Sequence, residues 1–178
     1  MAKRKKIGTE KFSEDLVPLV RPIEGLTLDP SNARLHSERN IAAIRYSLKR
    51  FGQKKPIVVR DGVVLAGNGT LRAAVEEGWE NIAVSEFVGT DDEAAAFAIA
   101  DNRSAELGMW DDRALSESLQ ALKDGNFDLD VVGFSDAEFQ DILSTLKGPD
   151  APDQFPTIDP DEMQSNFTHS CPKCGYDW

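Results

Sequence analysis

An α/β chain of the α+β kind, strands and helices interspersed, is what the sequence predicts, on three observations. Short β-branched runs bounded by turn residues, at 26–28, 57–60, 63–66 and 82–87, alternate with segments whose apolar residues recur at helical spacing. Asp61-Gly62 stands between Ile57-Val58-Val59-Arg60 and Val63-Val64-Leu65-Ala66, a tight hairpin signal. Leu65-Ala66-Gly67-Asn68-Gly69-Thr70 then runs through two glycines straight into a helical stretch.

The elements follow in order. Residues 1–15 carry Lys3, Arg4, Lys5, Lys6 and Lys11 with little apolar content and read as a flexible basic arm. After the apolar Val17, Leu19 and Val20, the strand at 26–28 is stopped by Asp29-Pro30-Ser31-Asn32. Ile41, Ile44, Leu48 and Phe51 mark one face of a helix over 37–51, with Ser37 as N-cap and Gly52 as its stop. Its other face holds Arg39, Arg45, Lys49 and Arg50. A second helix runs from Leu71 until Gly78 ends it, and a long third one from about Asp91 to Leu107 has an acidic first turn, as the helix dipole prefers. A further helix begins near Asp111. After a turn region at 127–133, Ser135 caps a last amphipathic helix through Leu146, with Phe139 and Ile142 on its apolar side.

Past Gly148 the texture changes to Pro149-Asp150-Ala151-Pro152-Asp153, which reads as an acidic linker over 148–168. The division expected is an arm (1–15), an α/β domain (16–110), a helical extension (111–147), the linker, and a Cys-x-x-Cys tail (169–178).

Two cysteines in 178 residues exclude a disulfide scaffold, and no apolar run approaches the roughly 20 residues of a membrane span. Met1 to Lys6 lead into Ile7-Gly8-Thr9-Glu10 and not into an apolar stretch, so a cytoplasmic chain with no membrane partner is expected. The formal charge of -11 argues against a DNA partner as a sum, because duplex DNA is a dense line of negative charge. The charge is polarised, however: 14 basic and 6 acidic residues in 1–60, against 4 basic and 15 acidic in 111–178. A local basic face, formed by the arm and helix 37–51, is the expected route to DNA.

Three polar groupings carry chemistry. The strand, glycine turn and helix at Gly67, Asn68, Gly69 and Thr70 converge free backbone N–H groups and a helix dipole on one spot, the makings of an anion site. A tight turn without a ligand is the equal alternative, since neither the Walker lysine nor the longer dinucleotide fingerprint is present. Asp101-Asn102-Arg103 interrupts the apolar run 94–100, either as a helix end meeting solvent or as a holder of metal and phosphate. Asn32-Ala33-Arg34-Leu35-His36 offers Arg34 as a phosphate fork and His36 as a polar contact.

These residues fall into a longer succession: Leu28-x-Pro30-x-Asn32-x-Arg34-x-His36, Phe51-Gly52-x-x-x-Pro56-Ile57-Val58-Val59, Leu65-Ala66-Gly67-Asn68-Gly69-Thr70-Leu71, and Ala100-Asp101-Asn102-Arg103-x-Ala105-Glu106. Together they resemble the N-terminal domain of ParB-like proteins, the ParB/sulfiredoxin fold. More narrowly, the chain is similar over about residues 23–146 to the phage and prophage branch found alone or ahead of DNA modification methyltransferases. The resemblance implies a small mixed sheet with flanking helices. It also implies a nucleoside triphosphate site, for CTP or ATP with Mg2+. Asn32, Arg34, Gly67, Asn68, Gly69, Thr70 and Arg72 would cradle phosphates, Asp101 and Asn102 would hold the ion, and Arg103 would lie beside them. In partition ParB the turn reads Gly-Glu-Arg-Arg-x-Arg; here Thr70 takes the place of the second arginine and Arg72 keeps the last. Sulfiredoxin carries a reactive Cys at this turn, whereas this chain has none before Cys171, so sulfiredoxin chemistry is not expected. The DNA-reading helix-turn-helix of partition ParB has no expected counterpart in 111–147, where nine carboxylates would face phosphates. Nor is the chain expected to be itself the methyltransferase.

The tail, His169-Ser170-Cys171-Pro172-Lys173-Cys174-Gly175, has the turn chemistry of a zinc knuckle. Four ligands are needed, and Cys171, Cys174 and His169 supply at most three. His36, a second chain as homodimer, or a partner protein would complete the set. An unmetallated tail and a redox pair are the alternatives.

The function expected is a nucleotide-binding, DNA-associated accessory protein of phage or mobile-element type. Metal-dependent NTP hydrolysis or nuclease activity, with Asp101 and Asn102 as catalytic groups, is the enzymatic alternative. An adaptor for a DNA methyltransferase or packaging enzyme is the non-catalytic one.

Overall fold

Five short strands form the mixed sheet in the order β1 (Val20–Pro22), β5 (Asn81–Glu86), β3 (Ile57–Arg60), β4 (Val63–Ala66), β2 (Thr27–Leu28). The computed structural model describes residues 12–147 and 169–176. The basic residues of the arm, 1–11, and the linker 148–168 lie outside the described residues. β3 and β4 pair antiparallel across Asp61 and Gly62, both at positive φ (49° and 82°), the two-residue hairpin expected there. β5 runs parallel to β3, β2 parallel to β4, and β1 antiparallel to β5.

Alternate residues of β3, Ile57 and Val59, are buried, as are Ile82, Ala83 and Val84 of β5. Against them pack Ile41 and Leu48 of α1 (Glu38–Phe51) and Leu71, Ala73 and Ala74 of α2 (Asn68–Glu76), so the helical period on one side meets the strand period on the other. Truncating a fully buried member such as Ile41 would cost about 2–5 kcal/mol.

Three features depart from the expectations. The chain is packed from Phe12, so the arm does not extend to residue 15. Phe12 meets Trp79 edge-on at 5.5 Å, Ser13 N–H donates to Gln53 O at 3.2 Å, and a 3-10 turn over Glu14–Leu19 buries Leu16. Gln53, between the end of the first helix and the strand at 57, is buried at 1 % exposure: its Oε1 accepts from Ala83 N–H at 2.7 Å and its Nε2 donates to Ala83 O at 2.9 Å, satisfying both backbone groups of that β5 residue. And α2 begins at Asn68, not at Leu71, because Gly67 alone makes the turn.

α3 (Asp91–Leu107) lies against β4, with Ala94 as its one buried residue. α4 (Asp112–Asp124) and α5 (Asp136–Lys147) are joined by a 3-10 turn at Leu129–Val132 around a small core of their own, Leu119, Leu129 and Phe139, flanked by Leu115, Leu122 and Ile142. This pair is tied to α1: Arg39 pairs with Glu138, and Phe127 stacks on Phe51 with ring centroids 6.1 Å apart. Among the described residues no helix is long and apolar enough to cross a membrane.

Candidate functional site

The site is built on a helix that starts one residue after a strand. Gly67 adopts φ 98°, a left-handed conformation, and a Cβ there would stand 2.5 Å from Cγ2 of the buried Ile57. Only glycine serves at that position. The first helical bond runs from Leu71 N–H to Gly67 O at 2.9 Å, so the amides of Asn68, Gly69 and Thr70 have no acceptor within the helix. No side chain caps them, and the first turn holds no acid.

Asn68 is buried and its side chain is committed. Its Nδ2 donates to Val64 O at 2.9 Å and its Oδ1 accepts from Asp29 N–H at 3.0 Å, bracing the end of β4 to the loop before α1. Gly69 leaves room for an imidazole: a Cβ on it would stand 2.8 Å from Cε1 of His36 and 3.0 Å from Cδ1 of Ile44. The loop is self-ordered, with Asn32 Oδ1 accepting from Arg34 N–H and its Nδ2 donating to Arg34 O, both at 3.1 Å. His36 Nδ1 stands 2.7 Å from Asn40 Oδ1.

These pieces enclose a cleft of 140 Å³ lined by Asn32, Arg34, His36, Gly67 to Thr70 and, from α3, Asn102. An adjoining cleft of 310 Å³ shares Asn32, Arg34 and Asn102 and continues along the Ala95, Ala98 and Ile99 face of α3 to Arg103 and Glu106. Of the residues that line the smaller cleft, Arg34 carries a formal charge. Arg34 reaches Glu106 at 3.5 Å, and Arg103 reaches the same carboxylate at 3.2 Å, both in exposed pairs.

Asn32, Arg34, Gly67, Asn68, Gly69, Thr70 and Asn102 therefore come together, and Arg103 lines the adjoining cleft. Arg72 does not line either one. Its guanidinium lies between Glu38 at 2.6 Å and Glu76 at 3.0 Å, and these two carboxylates push its pKa up. Asp101 lines neither cleft, because on a helix it points about 100° away from Asn102. Glu106, at the end of the Asp101-Asn102-Arg103-x-Ala105-Glu106 stretch, is a cleft residue that carries no role in the sequence expectations. Its i,i+3 spacing from Arg103 was the signal for its partnership.

The basic face expected on α1 is internally paired. Arg45 contacts Glu77 at 2.6 Å and Glu76 at 3.3 Å, Lys49 contacts Glu77 at 3.0 Å, Arg39 is joined to Glu138, and Arg50 lies 5.4 Å over the Phe127 ring. Lys49 first, and Arg45 with it, hold the nearly buried Glu77 carboxyl below its ordinary pKa against the cost of desolvation. Periodicity places these cations on one face but does not see the carboxylates at the end of α2 and the start of α5 that fold against it.

Among the described residues no three His, Cys, Asp or Glu side chains stand together as a metal cluster, so His169 does not form a three-ligand set with Cys171 and Cys174. In the tail, described by itself, both cysteines are free thiols, and the backbone amides of Lys173 and Cys174 are directed at the Cys171 sulfur, holding its pKa below the usual thiol value.

A family model described as the ParB-methyltransferase HTH domain matches residues 113–165. This corrects the expectation that 111–147 holds no helix-turn-helix counterpart: α4 from Arg113 onward, its 3-10 turn and α5 lie in the matched range, around the buried Leu119, Leu129 and Phe139. The ParB-like nuclease domain-containing protein YnaK of Escherichia coli (strain K12) is 33% identical over 83 residues, 46% of this chain and 95% of that protein. A crystal structure of the C-terminally truncated chromosome-partitioning protein ParB from Caulobacter crescentus, complexed with CTP-gamma-S, matches with a TM-score of 0.61 at 20% identity, over 74% of this chain and 79% of that one. At that identity the likeness is one of fold.

Proposed function

Because the chain belongs to the ParB-like domain family, in the branch related to the domain ahead of DNA methyltransferases, we propose that it binds a nucleoside triphosphate, CTP or ATP, with its phosphates against the first turn of α2. The bound state then gates association with DNA or with a partner protein, through contacts that differ between bound and free forms. One observation carries this reading: α2 opens with three amides that have neither a helical acceptor nor a side-chain cap, and they line the cleft that Asn32, Arg34 and His36 also line. N–H groups and the positive end of a helix dipole together favour a phosphate.

The sizes agree with this division of labour. The 140 Å³ cleft suits phosphate groups, and the 310 Å³ cleft beside it falls in the range of about 300–1,000 Å³ that takes small ligands, its alanine face offering an apolar seat for a base. Arg34 would exchange Glu106 for phosphate. An exposed pair is worth no more than about 1 kcal/mol, and a bidentate arginine–phosphate contact is stronger. Arg72 joins the cradle only on breaking its pairs with Glu38 and Glu76. The fold neighbour from Caulobacter carries a CTP analogue, which lends support to the same ligand class. Mg2+ characteristically enters such sites through substrate phosphates and one or two carboxylates. In this reading Asn102 and Glu106, which line the clefts, would meet it, and Asp101, which lines neither, would not.

DNA association would run through the basic arm and through α1, whose exposed ion pairs phosphates can displace. A second reading, an adaptor for a DNA modification or packaging enzyme of phage or mobile-element type, is favoured by the surface of residues 111–147, with nine carboxylates against Arg113, Lys123 and Lys147. Thermal shift with CTP, ATP and GTP in the presence of Mg2+ separates the two. A rise in Tm with one of them supports the nucleotide reading, and no rise with any overturns it in favour of the adaptor. Fluorescence anisotropy of a labelled duplex, with and without that nucleotide, then reads the gating. Phosphate release lost in Asn102→Ala would point instead to hydrolysis.

A further inference from the structure

Residues 39–55 hold six cations and no acid. Four are engaged: Arg39 with Glu138, Arg45 and Lys49 with Glu77, and Arg50 over the Phe127 ring. The other two, Lys54 and Lys55, are exposed just past the end of α1, where they line a groove of 630 Å³ between α1 and the 3-10 turn Leu129–Val132. The groove exists because that turn is fastened to α1 at two places with a gap between them. Near the start of α1, Arg39 pairs with Glu138 and donates to Gly133 O at 3.5 Å, and a Cβ on Gly133 would stand 3.6 Å from that of Ala43. At the end of α1, Phe127 stacks on Phe51. Between these fastenings Ile44 and Val132 face a common space, and Phe51 and Val132 are 41 % and 38 % exposed. Of the residues that line it, only Lys54 and Lys55 carry a formal charge.

We propose that this groove is a docking site for a short acidic peptide segment of a partner protein, its apolar side chains seated against α1 and its carboxylates beside Lys54 and Lys55. Apolar walls reward side chains taken out of water, at about 25 cal/mol per Å² of apolar surface, which a sugar–phosphate backbone does not supply. Two lysines with no acid in the lining select carboxylates over cations. From Ala43 to Phe51 the helix rises about 12 Å. An extended segment spans that length in about four residues. Both fastenings are made within the chain itself, so the groove is formed before anything enters it, which lowers the cost of binding. Ile44 and Thr70 are walls of the groove and of the phosphate cleft alike. Docking nevertheless requires no nucleotide, and the proposal stands apart from the nucleotide reading.

The test presents a phage-displayed library of random octapeptides to the immobilised full chain, without nucleotide. Enriched peptides should share two apolar residues flanked by Asp or Glu. One of them, synthesised with a fluorophore, should bind less tightly as salt is raised. Lys54→Glu combined with Lys55→Glu should weaken it about 10-fold, the loss of two exposed ion pairs. Val132→Glu, which sets a carboxylate on the apolar wall, should weaken it by a similar factor, while both variants keep the parent's Tm. No enrichment, enriched peptides without that pattern, or binding unchanged in both variants would overturn the proposal. So would displacement of the peptide by a duplex DNA whose own binding is lost in the same variants, which would give the groove to nucleic acid. Failure here leaves the reading of α2 standing, and failure of every nucleotide to raise Tm leaves the groove standing.

Discussion

α2 and α3 meet the same physical need in opposite ways. Each helix begins with backbone N–H groups that have no acceptor in its own turns. At α3 the chain supplies the acceptors itself: Thr90 Oγ1 accepts from Glu93 N–H at 3.3 Å, Glu93 Oε2 accepts from Thr90 N–H at 2.7 Å, and Asp91 and Asp92 add negative charge to the first turn. The backbone N–H and then the hydroxyl of Thr90 hold the Glu93 carboxyl below its ordinary pKa. At α2 the chain supplies none of this. Ser37, Asp111 and Ser135 cap α1, α4 and α5 with side chains, so α2 is the only α-helix among the described residues whose N-terminus is uncapped and faces a cleft. A closed terminus is a structural device; under the proposed reading the open one, lined by Arg34 and His36, is where an external anion would sit.

Substitutions can break this contrast, and the largest effect falls at the open end. Gly67→Ala must place a Cβ against Ile57 in a left-handed backbone, which should cost about 2–4 kcal/mol in urea unfolding. A cost near zero would mean that the turn relaxes and the start of α2 is not enforced. Next, Arg34→Ala should leave stability almost unchanged, because its partner is one exposed carboxylate, yet weaken nucleotide binding about 10- to 100-fold, as loss of a charged hydrogen bond does. Titration calorimetry reads both the affinity and its dependence on this residue. At the closed end, Thr90→Ala should cost about 1 kcal/mol of stability with no change in nucleotide Kd; a changed Kd would show that the two termini are not independent.

The smallest effect belongs to α5, another self-capped helix. Arg39 first, then the Ser135 amide and hydroxyl, lower the Glu138 pKa from 4.5 to about 2. A depressed carboxylate stabilises the fold above its unfolded pKa, and that contribution is lost as pH falls from about 4.5 toward 2. Glu138→Gln should therefore show a shallower acid limb over that window while matching the parent's slope above it. Identical acid limbs would remove Glu138 from the account.

Much of this was legible in sequence because caps and turns are local. Ser37 and Ser135 sit where the next apolar period begins, Asp111 stands near the expected start of its helix, and Asp61-Gly62 has a single compact reading as a hairpin. What was missed depends on partners distant in the chain. The pair Gly67 and Gly69 reads as a loop, and only the close approach of Ile57, His36 and Ile44 shows that the first glycine makes the turn while the second lies inside the helix. Resemblance puts both Asn68 and Arg72 in the cradle; burial commits the side chain of the first to Val64 and Asp29 while its residue still lines the cleft, and Glu38 and Glu76 draw the second away. Phe12 was hidden by the lysines around it, and its value appears only against Trp79. The helix-turn-helix range is obscured in sequence by nine carboxylates over 111–147, whose charge says nothing of the spacing of Leu115, Leu119, Leu122 and Phe139 that packs beneath.

The central claim is that an external phosphate occupies the open start of α2. Amide ¹H–¹⁵N spectra of the full chain, titrated with CTP and ATP in the presence of Mg2+, test it at the atoms concerned. The account predicts the largest downfield shifts at Asn68, Gly69 and Thr70, saturating together, with Asp91 to Glu93 at the start of α3 unmoved. Shifts confined to other residues, or none with either nucleotide, would contradict it.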